Sequence, residues 1–147
     1  MLEPGPGMGF FTLELARLVG SSGRVVAVDV QAKMLERLKR RAQKAGLLDR
    51  IDTRLTAAES MGINELEGRV DFTLAFAVVH ELPDTARFFR EVATASRTNG
   101  TLLLGEPKGH VKEADFDNEL KLAAEAGFEL IDRPRIKRSH TALLKRA

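Results

Sequence analysis

The sequence contains no cysteine, tryptophan or tyrosine among its 147 residues. Without cysteine it can form no disulfide, no thiolate metal site and no cysteine nucleophile. Without tryptophan and tyrosine, and with its phenylalanines at apolar-periodic positions, it offers no evident aromatic platform for stacking single-stranded nucleic acid. These absences exclude thiol chemistry and argue against base stacking.

Long hydrophobic runs are also missing. No apolar segment approaches the roughly 20 residues that a membrane span requires. The first residues lack the basic start and long apolar stretch of a signal peptide and meet a Gly/Pro cluster at once. We therefore expect no membrane association and, by default, a cytoplasmic location. The length suits one domain with a single core, residues 1–147.

Neither sign of charge is in large excess, since the formal net charge is +2 and 30% of residues are charged. So small a surplus makes a nucleic-acid partner an unfavoured interpretation. The basic residues form two local groups, Lys33, Arg37, Lys39, Arg40, Arg41 and Lys44, then Arg133, Arg135, Lys137 and Arg138. The first is interpreted as the solvated face of an amphipathic helix. The second is interpreted as a polar turn, with a patch for an acidic partner as the alternative.

Strand-like and helix-like segments alternate along the chain. Apolar runs predict parallel strands at 2–3, 24–29, 51–56, 70–78 and 102–104, and a closing antiparallel pair at 128–132 and 141–145. Helical spacing and capping residues predict helices at 10–19, 32–45, 60–66, 84–96 and 114–126. This order predicts a Rossmann-like, doubly wound α/β fold with a mostly parallel sheet. Ligands of such sheets bind where the parallel strands end.

The most informative stretch is the turn from Glu3 to Gly9, with the sequence EPGPGMG. Glycines at 5, 7 and 9 allow a tight turn and a close approach to a ligand, and the following helix points its N-terminus at the same place. The G-x-G-x-G spacing differs from the G-x-G-x-x-G of dinucleotide-binding dehydrogenases. A carboxylate at Glu3 suits a cationic nucleoside such as S-adenosylmethionine better than a diphosphate.

Asp29 closes an apolar strand that follows the glycine turn. A carboxylate at this place can accept both hydroxyls of a ribose. That role serves NAD and S-adenosylmethionine alike, so Asp29 indicates a nucleoside ligand without choosing between the two.

Four segments, taken in order, resemble class I S-adenosylmethionine-dependent methyltransferases: LEPGPGMG, VAVD, AAE and VDFTLAFAVVHEL. Within that class the chain is similar to the ubiquinone/menaquinone-methyltransferase-like group, which acts on small molecules. The resemblance implies S-adenosylmethionine as cofactor, a small-molecule methyl acceptor, and a methyltransferase core over residues 1–147.

The resemblance also implies site residues. Glu3, Gly5, Pro6, Gly7 and Gly9 would line the amino-acid tail and sulfonium of the cofactor. Asp29 would hold the ribose, and Val30 and Gln31 would flank the adenine. Ala58 and Glu59 would meet the adenine edge, and Phe76 and Ala77 would offer backbone groups near the methionine portion.

Two departures from this group stand out. Ala57 occupies the place where many relatives carry an aspartate for the adenine amino group, so either Glu59 substitutes or a hydrogen bond worth about 1 kcal/mol is absent. The chain also begins three residues before Pro4, where relatives carry a full strand and a helix. We expect a truncated first strand and an incomplete acceptor lid. A shortened sequence, a naturally minimal protein and a homodimer whose partner covers the gap are the alternatives.

The sequence has fewer features that indicate where the methyl acceptor binds. Methyl transfer needs in-line positioning, and a general base only where the acceptor carries a proton. His80 follows the fourth strand and is the candidate catalytic base, with a pocket-wall role as the alternative. Three residues after the fifth strand also qualify to face an acceptor: Glu106, Lys108 and His110. No metal site is predicted, because Asp84 and Glu106 are too few carboxylates.

Two other functions stay open. One is a non-catalytic module that binds S-adenosylmethionine or S-adenosylhomocysteine, or a truncated core that needs a partner. The other is an NAD-dependent oxidoreductase, against which the glycine spacing and Glu3 argue.

Overall fold

The computed structural model describes residues 1–147, which form seven strands and four helices. The chain divides into two compact units, Met1–Ala57 and Ala58–Ala147. The first unit contains β1 (Leu2–Pro4), α1 (Phe10–Val19), β2 (Val25–Asp29), α2 (Ala32–Lys44) and β3 (Ile51–Leu55). The second contains β4 (Val70–Phe76), α3 (Thr85–Ala95), β5 (Ser96–Pro107), α4 (Glu113–Glu125), β6 (Phe128–Asp132) and β7 (Ser139–Arg146). The assignment of residues 1–147 to one domain stays a prediction.

The strands of the first unit are parallel and lie in the order β3-β2-β1. All five residues of β2 are buried, as its unbroken apolar run predicts for a strand covered on both faces. Glu3 lies opposite Ala27 and Pro4 opposite Val28, so β1 and β2 end at the same edge. The basic residues of α2 lie on its outer face, and Leu35, Leu38 and Ala42 are buried.

The strands of the second unit lie in the order β4-β5-β7-β6. β4 and β5 are parallel, whereas β7 runs antiparallel to both β5 and β6. The closing antiparallel pair predicted from the sequence is therefore confirmed. Residues 102–104, which the sequence predicts to anchor the fifth strand, lie within β5, and β5 extends to Pro107 because β7 pairs with it as far as Ser139.

The helix predicted at 60–66 is wrong, since this stretch contains only a 3₁₀ turn at Asn64–Leu66. Gly62 adopts a left-handed backbone with φ +61°, which a helix cannot accommodate. Glu91 of α3 also binds the segment from outside, accepting hydrogen bonds from the Ser60 hydroxyl at 2.7 Å and the Met61 N–H at 2.9 Å. These tertiary bonds hold the segment extended against α3.

None of the four helices combines the length and the apolar character that crossing a membrane requires.

Candidate functional site

A glycine turn joins β1 to α1. Gly5, Gly7 and Gly9 have φ of 65°, 57° and 90°, a region that glycine adopts without the steric cost of a side chain. The Gly5 N–H donates to the Val28 carbonyl at 2.8 Å and extends the β1–β2 ladder, while the Gly9 N–H donates to the carbonyl of buried Pro6 at 3.0 Å. These bonds close the turn against the end of β2.

The absence of a side chain has different consequences at Gly7 and at Gly9. A Cβ at Gly9 would come within 2.2 Å of Leu38 Cδ1, so the first turn of α1 packs directly on α2. A Cβ at Gly7 would meet nothing within 4 Å. Gly9 therefore serves helix packing, whereas Gly7 leaves open space in front of the turn.

Glu3 is buried at the end of β1, with only 3% of its surface exposed. The Thr12 hydroxyl of α1 donates a hydrogen bond to Glu3 Oε2, and Glu3 Oε1 has no partner within the protein. Burial raises the pKa of Glu3 to about 7, although the Thr12 hydrogen bond opposes this shift. A cation placed beside this carboxyl would favour its ionised form.

Asp29 ends β2 and is also buried. Its Oδ1 accepts the Gln31 N–H at 2.9 Å, while its Oδ2 accepts no hydrogen bond from the protein. Val30, which follows, exposes half of its surface, and Gln31 is the exposed N-cap residue of α2. Because neighbouring strands lie about 4.8 Å apart, Glu3 and Asp29 meet at one edge of the sheet, as the sequence predicts.

This edge fits S-adenosylmethionine in the chemistry of its groups. The free Asp29 oxygen suits ribose hydroxyls, the exposed Val30 side chain suits an adenine face, and the buried Glu3 carboxyl suits a positive charge. No helix N-terminus with a G-x-G-x-x-G turn for a pyrophosphate is present here.

In the second unit, β4 ends at Phe76 and the chain turns sharply at Ala77, whose φ is +58°. The Ala77 N–H is engaged by the Gly105 carbonyl at 2.8 Å, which supports a backbone conformation that costs on the order of 1–3 kcal/mol for a residue with a side chain. The Phe76 ring lies on Gly105, where a Cβ would come within 2.3 Å of it. Ala58 and Glu59 lie exposed in a turn.

His80 lies in a 3₁₀ turn, Val79–Glu81, directly after this bend. Its Nδ1 is hydrogen-bonded to Oε2 of Glu106, a carboxylate at the end of β5 with no exposed surface. The other Glu106 oxygen accepts the Val79 N–H at 3.0 Å. Both oxygens of Glu106 are thus used to orient the His80 turn. When Glu106 accepts the Nδ1 hydrogen, Nε2 keeps its lone pair and is available as a base.

Sequence reasoning named His80 and Glu106 separately but did not predict the bond between them. His80 follows the end of β4 and Glu106 lies at the end of β5, and these strands are parallel neighbours. Their position at the same end of adjacent parallel strands is the signal for their proximity. His110, the third candidate of this region, stacks on His80 with ring centroids 6.0 Å apart and planes at 11°.

Glu119 of α4 is a titratable residue that sequence reasoning missed. It is 7% exposed, and its Oε2 is buried without a hydrogen-bond partner. Burial, together with the negative charges of Glu106 and Asp115, raises the pKa of Glu119 to about 8. Its place between Phe116 and Ala123 on the apolar face of a helix is the signal that marks it.

Two curated relatives match parts of the chain. An uncharacterized 37.1 kDa protein in transposon TN4556 of Streptomyces fradiae is 29% identical over 103 residues, which are 70% of this chain and 28% of that protein. A probable cobalt-precorrin-6B C(15)-methyltransferase (decarboxylating) of Saccharolobus solfataricus is 41% identical over 51 residues, 35% of this chain and 26% of that protein. The chain thus spans little more than a quarter of either protein.

The fold also matches solved structures. A SAM-dependent methyltransferase from Aquifex aeolicus superposes with a TM-score of 0.83 and 21% sequence identity, covering 98% of this chain and 79% of that one. This likeness confirms the predicted Rossmann-like α/β fold. In sequence, residues 2–104 match the family described as methyltransferase domain. That match spans most of the 147 residues, from β1 through most of β5, and the chain therefore belongs to the methyltransferase domain family.

Proposed function

We propose that this chain transfers a methyl group from S-adenosylmethionine to a small-molecule acceptor. The observation that carries the proposal is the meeting of a buried Glu3, a three-glycine turn and a buried Asp29 at one edge of the first unit's sheet. Membership of the methyltransferase domain family supports the same reaction class.

In this proposal each group at the edge has one role. Asp29 accepts the ribose hydroxyls, and Val30 and Gln31 flank the adenine. Glu3 faces the ammonium group of the amino-acid tail and the sulfonium, while Gly5, Pro6, Gly7 and Gly9 form the backbone along which the tail lies. When bound, S-adenosylmethionine supplies a methyl group already activated by its sulfonium, so the protein needs chiefly to orient the acceptor.

His80 is the proposed general base for an acceptor whose nucleophile carries a proton. Glu106 is its positioning residue, because it fixes the imidazole by Nδ1 and stabilises the imidazolium that forms when Nε2 takes the proton. Glu106 is fully buried and has both oxygens occupied, so the ring is held in one orientation.

Several narrower expectations stay predictions. They are the ubiquinone/menaquinone-methyltransferase-like subgroup, the cytoplasmic location, the homodimer, and the cofactor contacts of Ala58, Glu59, Phe76 and Ala77. The non-catalytic binding module remains the alternative that activity measurements must address.

Calorimetric titration with S-adenosylmethionine, S-adenosylhomocysteine and NAD tests the cofactor. We expect the two sulfur nucleosides to bind and NAD to give no heat of binding. Asp29→Ala should weaken nucleoside binding about 10- to 100-fold, the value of hydrogen bonds to a charged group. Asp49→Ala, which removes an exposed carboxylate of the same unit, is the matched control and should bind as the wild type does. Binding of NAD alone would overturn the proposal.

Transfer of a radiolabelled methyl group to a panel of small phenols, amines and carbon acids tests the reaction. His80→Gln should lower kcat about 100-fold or more for acceptors that lose a proton, the usual contribution of a general base. Glu106→Gln should lower kcat and move the limb of its pH profile that reports the base, with the affinity for S-adenosylhomocysteine unchanged. An unaltered pH profile in Glu106→Gln would assign Glu106 a purely structural role.

A further inference from the structure

The loop after β5 is bent back at the carboxyl end of that strand. The Pro107 carbonyl accepts two hydrogen bonds, from the His110 N–H at 3.0 Å and from the Val111 N–H at 2.9 Å. The bend brings the His110 ring onto the His80 ring, with centroids 6.0 Å apart. Lys108, within the same bend, is exposed. The loop therefore lies beside the proposed base.

A second segment, the turn 133–138 between β6 and β7, is held at the same place. The Lys108 N–H donates to the Arg138 carbonyl at 2.9 Å, and the next residue, Ser139, pairs with Pro107. Arg138 adopts a left-handed backbone with φ +61°, a conformation that is uncommon for a residue with a long side chain. The topology thus brings two exposed cationic residues, Lys108 and Arg138, to the edge that carries His80.

The cations at this edge have no carboxylate partner. Arg133, earlier in the same turn, pairs with Asp117 at 3.6 Å, whereas Lys108 and Arg138 form no ion pair. The exposed negative groups on the neighbouring elements are Glu81, whose Oε1 lies 3.9 Å from His80 Nε2, and Glu113 and Asp115 in the first turn of α4. Glu106 is buried, and its two oxygens are hydrogen-bonded to Val79 and His80. The side chains of Lys108 and Arg138 are therefore exposed cations that no protein carboxylate neutralises by direct contact.

We propose that Lys108, His110 and Arg138 form a basic rim that recognises a carboxylate or phosphate group on the methyl acceptor. This inference rests on the proposed function and narrows its acceptor to anionic small molecules. An acceptor anion would pair with cations that no protein carboxylate already occupies, so binding costs no existing ion pair. A neutral or cationic acceptor would gain nothing from the rim, and a cation would be repelled by it.

Binding of matched probes to the full chain tests the rim without requiring turnover. The probes are 4-hydroxybenzoate, 4-hydroxybenzamide and phenyl phosphate, which differ in charge at similar size. Backbone amide shifts of Lys108, His110 and Arg138 are followed by heteronuclear NMR during each titration. We expect at least one anionic probe to bind about tenfold more tightly than the neutral amide, with these amides shifting most. The carboxylate and phosphate arms identify which anion the rim prefers.

Charge-reversal variants localise the effect. Lys108→Glu and Arg138→Glu should each weaken the preferred anion about tenfold, and raised ionic strength should weaken it in the wild type. Lys44→Glu changes the net charge by the same amount on the exposed face of α2 and should bind as the wild type does. The affinity for S-adenosylhomocysteine should be unchanged in all three variants. If the wild type does not bind S-adenosylhomocysteine, the cofactor proposal fails, whereas the anion titrations still show separately whether Lys108, His110 and Arg138 bind an anion.

Three results would overturn the proposal that the basic rim recognises an anionic acceptor. Equal affinity for the neutral and anionic probes would show that charge is not recognised. Undiminished anion binding in both Lys108→Glu and Arg138→Glu would place recognition elsewhere. Binding of a short single-stranded oligonucleotide through the same amides, with no response to the small probes, would replace the small-molecule acceptor by nucleic acid.

Discussion

At the scale of single residues, the glycine turn separates packing from ligand access. Gly9, the N-cap residue of α1, packs against Leu38, whereas Gly7 faces open space, although both have positive φ. The spacing of the glycines predicts the turn, but not which glycine is required by packing. That distinction depends on how closely α1 and α2 approach, which local sequence does not encode.

Replacing these glycines tests the distinction. Gly9→Ala should lower the free energy of unfolding by about 2–4 kcal/mol, since overpacking against Leu38 adds to the cost of positive φ. Gly7→Ala should cost about 1 kcal/mol, from its backbone conformation alone. Urea denaturation followed by circular dichroism measures both. Equal losses in the two variants would show that the contact with Leu38 is not limiting.

The proposed role of Glu3 predicts that cofactor binding depends on pH. Burial raises its pKa to about 7, so the free protein holds Glu3 largely protonated at pH 6 and ionised at pH 8. A cationic cofactor favours the carboxylate, so binding at pH 6 must release a proton. We expect S-adenosylmethionine to bind about tenfold more weakly at pH 6 than at pH 8 in calorimetric titrations.

Glu3→Gln is the control for this dependence. It keeps the shape of the side chain and removes its ionisation, so its affinity should be lower than that of the wild type at pH 8 and change little between pH 6 and pH 8. The same pH dependence in wild type and variant would assign the effect to another group.

At the scale of elements, α1 shows how much local sequence determines. Its predicted bounds, residues 10–19, agree with the observed Phe10–Val19, because glycines stand at both ends. The failed helix at 60–66 shows the opposite case. The pattern there is compatible with a helix, but Glu91, some 30 residues away, binds Ser60 and Met61 and holds them extended. A tertiary hydrogen bond of this kind leaves no local pattern.

The start of α3 depends on a side-chain cap that the sequence does reveal. Asp84 accepts the Arg87 N–H at 2.9 Å, as an N-cap aspartate should. Asp84→Ala should lower the free energy of unfolding by about 1 kcal/mol. Asp84→Asn should lower it much less, because asparagine also accepts the capping hydrogen bond. Urea denaturation measures the free energy of unfolding of both variants. An equal loss in the two would show that the charge of Asp84 matters, and not its capping hydrogen bond.

More of the candidate site could be predicted from sequence in the first unit than in the second. Glu3 and Asp29 lie at the ends of β1 and β2 and belong to recognisable local motifs, so their shared edge follows from strand order. The bond between His80 and Glu106 joins residues 26 positions apart and depends on the register of β4 against β5. Periodicity predicts the two strands, but it does not fix their register.

At the scale of the whole molecule, two buried carboxyls make stability depend on pH. Burial raises the pKa of Glu3 to about 7 and that of Glu119 to about 8, both above the ordinary value of 4.5. Between pH 4.5 and these raised pKa values, the folded chain therefore binds more protons than the unfolded chain. The contribution of both groups to stability is therefore present below pH 4.5 and is lost as pH rises through 7 and 8.

Urea denaturation at pH 5, 7 and 9 measures this loss. We expect Glu119→Gln to be less sensitive to pH than the wild type between pH 7 and 9, because it removes the group that titrates near 8. Glu113→Gln, on an exposed position of the same helix, is the control and should follow the wild type. Parallel pH profiles for wild type and Glu119→Gln would contradict this account.

The central claim is that the carboxylates of Glu3 and Asp29 flank a bound sulfur nucleoside. A crystal structure of the chain with S-adenosylhomocysteine tests it directly. The account predicts ribose hydroxyls within hydrogen-bonding distance of Asp29, with the amino-acid tail along residues 5–9 and its ammonium facing Glu3. A nucleoside bound elsewhere, with no ligand atom in reach of either carboxylate, would contradict it.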